Sequence, residues 1–248
     1  MDDLTREARP ASVLEPPVPE RPGMPLRWGR LYGAALPLAL ARAAARHGRL
    51  LVVVAPEAAA AERLGRAVRA LAPPELPVLD FPDWETLPYD PFPPHPDSVS
   101  RRLETLSRLP RVRAGVLVVP AATLLQRLAP PEYVEARTLS LAVGERLDVG
   151  AFRARLEAAG YRAVPEVGEH GEYAVRGAVL DLFPAGAAHP YRLDLFDDEI
   201  ESIRTFDPET QRSVERVEAV RLLPAREFPL DEEAIAAFRR RFRERFEG

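Results

Sequence analysis

The sequence predicts an α/β protein in two parts: a doubly wound layer of parallel strands and helices, then a compact β unit with its own helices. Three observations carry this. Between Leu26 and Asp80, strand, glycine turn, helix, strand, helix and strand follow one another, the order of a parallel layer. Leu50 to Val54 is an unbroken apolar run, the pattern of a parallel strand buried on both faces. Gly171 to Pro208 reads as three β-strands in succession, with turn signals at Pro184, Gly186, Asp197-Asp198 and Asp207-Pro208.

Taken in order, residues 1–25 are rich in proline and glutamate without periodicity, which predicts a disordered or loosely attached leader. Leu26 to Trp28 is a short strand, and Gly29 and Gly33 punctuate a turn. Ala34 to His47 reads as a helix, with Pro37 in its first turn and Gly48 as its stop. Glu57 to Leu71 is an alanine-rich amphipathic helix, and Leu76 to Asp80 a short strand. The prolines of residues 81–97 interrupt regular structure. A helix capped by Asp97 or Ser98 runs to Leu109, a strand spans Gly115 to Val119, and Pro120 starts another helix. Then come a strand at Arg137 to Leu141, a helix N-capped by Asp148 and ending at Gly160, and a strand at Tyr161 to Val167. The three-strand unit has members at Glu172 to Phe183, Tyr191 to Phe196 and Glu199 to Phe206. Ser213 to Leu223 is expected to return the chain to the first layer. The closing helix, from Leu230, carries Phe238, Phe242 and Phe246 on one stripe among arginines, a face suited to docking.

Composition removes several function classes. The 248 residues contain no cysteine, which excludes disulfides, thiolate metal sites and cysteine nucleophiles and fits a reducing cytoplasm. All 34 basic residues are arginine, so Schiff-base chemistry and the phosphate-binding lysine of a P-loop are impossible within this chain. The net charge of −4 is not the basic footprint of a nucleic-acid-binding domain. No apolar run is long enough to span a bilayer. His47, His95, His170 and His189 lack ligand spacing, so no metal site is expected. Asp194, Asp197, Asp198 and Glu199 read as a hairpin turn rather than a cation cluster.

The second strand of the β unit holds the candidate site. Alternation puts Tyr191, Leu193 and Leu195 on a core face, and Arg192, Asp194 and Phe196 on the other. Phe196 is then either an exposed anchor beside a guanidinium, as at interface hot spots, or an aromatic packed under a loop beside an ordinary ion pair. Gly29 and Gly33 mark a vestigial phosphate loop: they sit four apart, and alanine or leucine stands where lysine and hydroxyl belong.

Four stretches, FPDWETLPYDPFPPHPDSVSRRLETL, GVLVVPAATLLQRL, GYRAVPEVGEHGEYAVRGAVLDLFP and PYRLDLFDDEIESIRTFDPETQRS, resemble the bacterial transcription-repair coupling factor family, Mfd. More remotely the chain is similar to the first part of the excision nuclease subunit UvrB. The resemblance implies a degenerate RecA-like (P-loop NTPase-like) domain 1A at residues 26–117 without a working nucleotide site. It implies an inserted, smaller α+β domain 2 at 137–223, and parts of domain 1B at 118–136 and 224–248. It implies that domain 2 engages UvrA, the damage-recognition ATPase. The arginine of the family's A-x-R-G motif matches Arg176, the arginine of P-Y-R matches Arg192, and the aromatic four residues later matches Phe196. ATP and Mg²⁺ are expected only in the motor of the full-length family, with no cofactor in this chain. RNA polymerase, double-stranded DNA and a masking C-terminal domain are partners of that longer protein, and a cytoplasmic location follows. A UvrB-like ATP-dependent helicase or nucleotidase fragment and a DNA-binding module using the C-terminal arginines are the alternatives.

Overall fold

A computed structural model describes residues 12–87 and 90–246. They fall into two compact units, the first running to Asp83 and resuming at Arg108–Arg127, the second made of Trp84–Ser107 and the chain from Leu128 onward.

The first unit is a three-stranded parallel sheet. β1 (Leu50–Ala55), β2 (Val78–Asp80) and β3 (Gly115–Pro120) lie in the order β1-β3-β2, with Val52 opposite Leu117 and Val78 opposite Val116. Helices α1 (Ala35–His47) and α2 (Ala58–Leu71) share a core with Leu51, Val53, Val116 and Val118. These four residues lie on one face of the sheet, so both helices cover the same side. Gly48, at φ +66°, ends α1 and donates its N–H to the Ala44 carbonyl, a conformation glycine adopts without Cβ strain.

Three expectations for this unit change. The central strand is β3, buried at all six positions, whereas β1 is an edge strand with Val52 and Val54 about half exposed. An apolar run alone does not distinguish these cases, because edge and centre are set by sheet order. Leu26 to Trp28 is irregular rather than a strand. The expected leader is described only from residue 12, its earlier residues lying outside the described part. There Pro16 is buried and the Trp28 indole donates to the Pro17 carbonyl at 3.1 Å, so this portion packs.

The second unit contains α3 (Pro96–Arg108, to Ser107), α4 (Pro131–Ala136), β4 (Leu139–Ala142), α5 (Val149–Ala158) and β5 (Arg162–Ala163). Then follow β6 (Glu172–Arg176), β7 (Val179–Phe183), β8 (Tyr191–Phe196), β9 (Glu199–Phe206), β10 (Ser213–Val217), β11 (Ala219–Leu222) and α6 (Glu232–Phe246). Six strands form one sheet in the order β10-β9-β8-β7-β6-β5, antiparallel except for β5 with β6. β4 and β11 pair separately.

The expected strand from Glu172 to Phe183 is therefore a hairpin, β6 and β7, folded at Gly177 with φ +61°. The run stays rich in β-formers on both sides of the turn, which hid the break, although the core face passes from Tyr173 and Val175 to Leu180 and Leu182 and the alternation changes phase there. Ser213 to Leu223 stays in the second unit, because β10 pairs with β9 and β11 with β4. The Asp148 carboxylate accepts from the Ala151 N–H at 2.9 Å and caps α5 as expected.

Phe152 and Leu156 of α5 pack against Tyr173, Leu180, Leu182, Leu193, Leu195, Ile200 and Ile203. This large core fixes one face of the sheet. On the opposite face, Val167, Ala174, Phe183 and Phe206 make a smaller core at one end. Segment 84–107 is tied to residue 227 by a buried pair. Arg102 Nε and Nη2 reach the Glu227 carboxylate at 2.5 and 3.1 Å, with the Trp84 indole donating to the same carboxylate. No helix among the described residues is long and apolar enough to cross a membrane.

Candidate protein-docking face

The large core decides what the other face of the sheet can do. Once Tyr173, Leu193 and Leu195 point toward α5, alternation sends Arg176, Asp181, Arg192, Asp194 and Phe196 the other way. Near the small core this second face is covered. Toward the β8–β9 hairpin it is open.

Asp181 is the hub, fully buried in the middle of β7. Arg192 sits opposite it on β8 and makes a two-pronged contact, Nε to Oδ1 at 2.7 Å and Nη2 to Oδ2 at 2.9 Å. Arg176, from the corner of the β6–β7 hairpin, donates to the same carboxylate. Arg192 also donates to the Gln211 carbonyl at 3.1 Å and lies 4.6 Å above the Phe206 ring. Its hydrogen bonds to Asp181 hold its proton even more tightly than usual. Charge-assisted, two-pronged bonds of this kind fix geometry as well as adding energy.

The predicted residues therefore differ in role. Arg176 and Arg192 meet on one aspartate. Arg192 is largely buried, with its donors engaged inside the unit, whereas the Arg176 side chain is about half exposed. Phe196 ends β8 opposite Glu199, on a tight hairpin whose Asp197 has φ +58°. Its ring is 75 % exposed. That resolves the two sequence readings of Phe196 in favour of the exposed one. An aromatic held out from a hydrogen-bonded sheet loses little freedom when a partner covers it.

Asp181 and Gln211 were missed by sequence reasoning. The available signal was the lone carboxylate in the apolar run V-L-D-L-F, obscured because that run was joined to the preceding strand. Gly29 and Gly33 lie in irregular chain before α1. The turn that links a parallel strand to its helix is Pro56-Glu57, between β1 and α2. His170 bridges the Asp97 carboxylate at 2.9 Å and the Ala187 carbonyl at 3.0 Å. Among the described residues no cluster of three potential metal ligands forms.

Residues 139–228 match the UvrB interaction domain family. Over 95 % of its length the chain is 47 % identical to a transcription-repair-coupling factor of Haemophilus influenzae, and over 93 % it is 48 % identical to one of Escherichia coli. A third, from Staphylococcus aureus, is 37 % identical over 62 % of the chain. The chain spans 20 % of the length of each of the first two relatives.

Proposed function

We infer that this chain, which carries a UvrB interaction domain and corresponds to the N-terminal region of transcription-repair-coupling factors, is a docking module that recruits UvrA to stalled transcription complexes. The observation that carries the reading is the exposed Phe196 ring on an otherwise well-packed sheet. Phe196 fills an apolar pocket on the partner. Arg176 presents a guanidinium to a partner carboxylate while still held by Asp181. Arg192 is a positioning residue that keeps Arg176, Asp181 and the end of β8 in register.

The parallel order β1-β3-β2 supports a degenerate RecA-like reading of the first unit, which takes in most of the domain 1A expected at residues 26–117, while residues 84–107 belong to the second unit. Domain 2 is then 137–223, with 118–136 and 224–248 belonging to domain 1B. Without lysine the unit lacks the side chain that a P-loop sets on nucleotide phosphates, so it serves as scaffold and not as an ATPase. ATP, Mg²⁺, double-stranded DNA, RNA polymerase and a masking C-terminal domain belong to the longer protein, which works in the cytoplasm.

Titration of purified UvrA with the wild-type chain and with Phe196→Ala tests the docking role. Phe196→Ala is expected to weaken binding about 30-fold or more, the loss of a hot-spot anchor of about 2 kcal/mol. Equal affinity in both proteins removes the assignment. Background ATP turnover by the isolated chain is the second expectation, and turnover above background overturns the scaffold role.

A further inference from the structure

We propose that the docking face extends past Phe196 across β9 and β10, where Arg204 and Arg216 form a seat for a carboxylate of an acidic protein surface. The proposal rests on the docking reading and adds residues to it. Arg192, Arg204 and Arg216 stand opposite one another on three neighbouring strands. Like charges in register repel, so such a row is unfavourable unless anions lie between or above it.

The protein supplies anions for part of the row only. Asp181 neutralises Arg192, and Asp194 takes an Nη2 donor of Arg204 while also accepting from the Ser202 hydroxyl. Nε of Arg204 is shielded from solvent and has no hydrogen-bond partner. Arg216 is exposed and forms no ion pair among the described residues. Four arginines, at 176, 192, 204 and 216, thus share one face with Asp181 and Asp194, while its other carboxylates, Glu172 and Glu199, lie on β6 and at the hairpin tip. The unspent donors lie at the β9–β10 end. A carboxylate placed there meets the exposed Arg216 guanidinium and the part of the Arg204 side chain that stays open to solvent.

The face fits a protein better than a nucleic acid. Val214, on the same strand as Arg216, is 65 % exposed, and Phe196 is more so. The hairpin tip beside Phe196 is acidic, with Asp197, Asp198 and Glu199, and repels a continuous phosphate backbone. A partner surface of apolar pockets and separate carboxylates satisfies both ends.

The test uses the whole chain with Arg216→Glu, Arg216→Gln and Phe196→Ala, titrated with UvrA at low and moderate salt and with duplex DNA. Arg216→Glu is expected to weaken UvrA binding about fivefold at low salt. Arg216→Gln loses less, the difference shrinks as salt rises, and the melting temperature does not change. Loss of UvrA binding in Phe196→Ala with wild-type affinity in Arg216→Glu overturns this extension and leaves the docking reading standing. A wild-type chain that does not bind UvrA removes both. An Arg216→Glu effect on duplex DNA alone reassigns the seat to nucleic acid and overturns the proposal.

Discussion

Replacing Arg192 with alanine separates positioning from contact on the docking face. The substitution removes both bonds to Asp181, those to Gln211 and the contact over Phe206. It leaves a fully buried carboxylate with Arg176 as its remaining cation. Breaking a fully buried ion pair costs about 3–5 kcal/mol. Arg192 keeps some solvent contact and Arg176 remains, so a cost of about 2–3 kcal/mol is expected. That corresponds to a fall of roughly 4–12 °C in melting temperature. Phe196→Ala removes a ring that is 75 % exposed, and its stability should change by less than about 0.5 kcal/mol. Differential scanning calorimetry, run beside UvrA titrations, reads both quantities. Arg192→Ala then lowers stability and affinity together, while Phe196→Ala lowers affinity alone. An Arg192→Ala protein that melts with the wild type refutes the hub assignment of Asp181, and a Phe196→Ala protein that loses as much stability refutes the division of roles between the exposed ring and the buried arginine.

Other consequences are equally direct. Glu227→Ala removes the carboxylate that the buried Arg102 and the Trp84 N–H share, and should cost about 1.5–3 kcal/mol in chemical denaturation, the worth of hydrogen bonds to a charged group; a loss below about 1 kcal/mol, the worth of a surface pair, contradicts the buried clamp. Tyr161 donates to the Leu223 carbonyl at 2.6 Å, and burial pushes its phenol far above the ordinary 10.0. Its folded-state pKa is raised, so its contribution is fully present below pH 10 and is lost as pH rises beyond it, where the unfolded phenol ionises first. Tyr161→Phe should flatten that alkaline limb in melting curves while costing about 1–2 kcal/mol at neutral pH for the unmet carbonyl. Asp197→Gly relieves a left-handed non-glycine residue and should gain up to about 1 kcal/mol, whereas Asp197→Val should cost about 1–2 kcal/mol and weaken UvrA binding by turning the end of β8.

Much of the second unit was legible because alternation is a local property. Tyr191, Leu193 and Leu195 face the core and Arg192, Asp194 and Phe196 do not, as the spacing alone required. The helix stop at Gly48 and the cap at Asp148 were likewise written in single residues whose chemistry acts within a few positions. The fold-back at Gly177 shows only as a change of phase, the core face passing from Tyr173 and Val175 to Leu180 and Leu182, and which phase faces a core is settled by partners elsewhere in the chain. The edge position of β1 was hidden for a related reason: which strand ends a sheet depends on partners far away in the chain.

The sequence by itself settled the chemistry available: a chain without cysteine or lysine, with Arg192, Asp194 and Phe196 placed by strand alternation on a face of their own. Only the tertiary structure decided how those groups divide their work. Asp181 lies 5 residues from Arg176 and 11 from Arg192, and strand pairing makes them one cluster, so that one guanidinium is enclosed, one is half free and the ring stands clear. Pairing and register depend on contacts between distant segments and on which face α5 claims, and no pattern along a single strand contains that information.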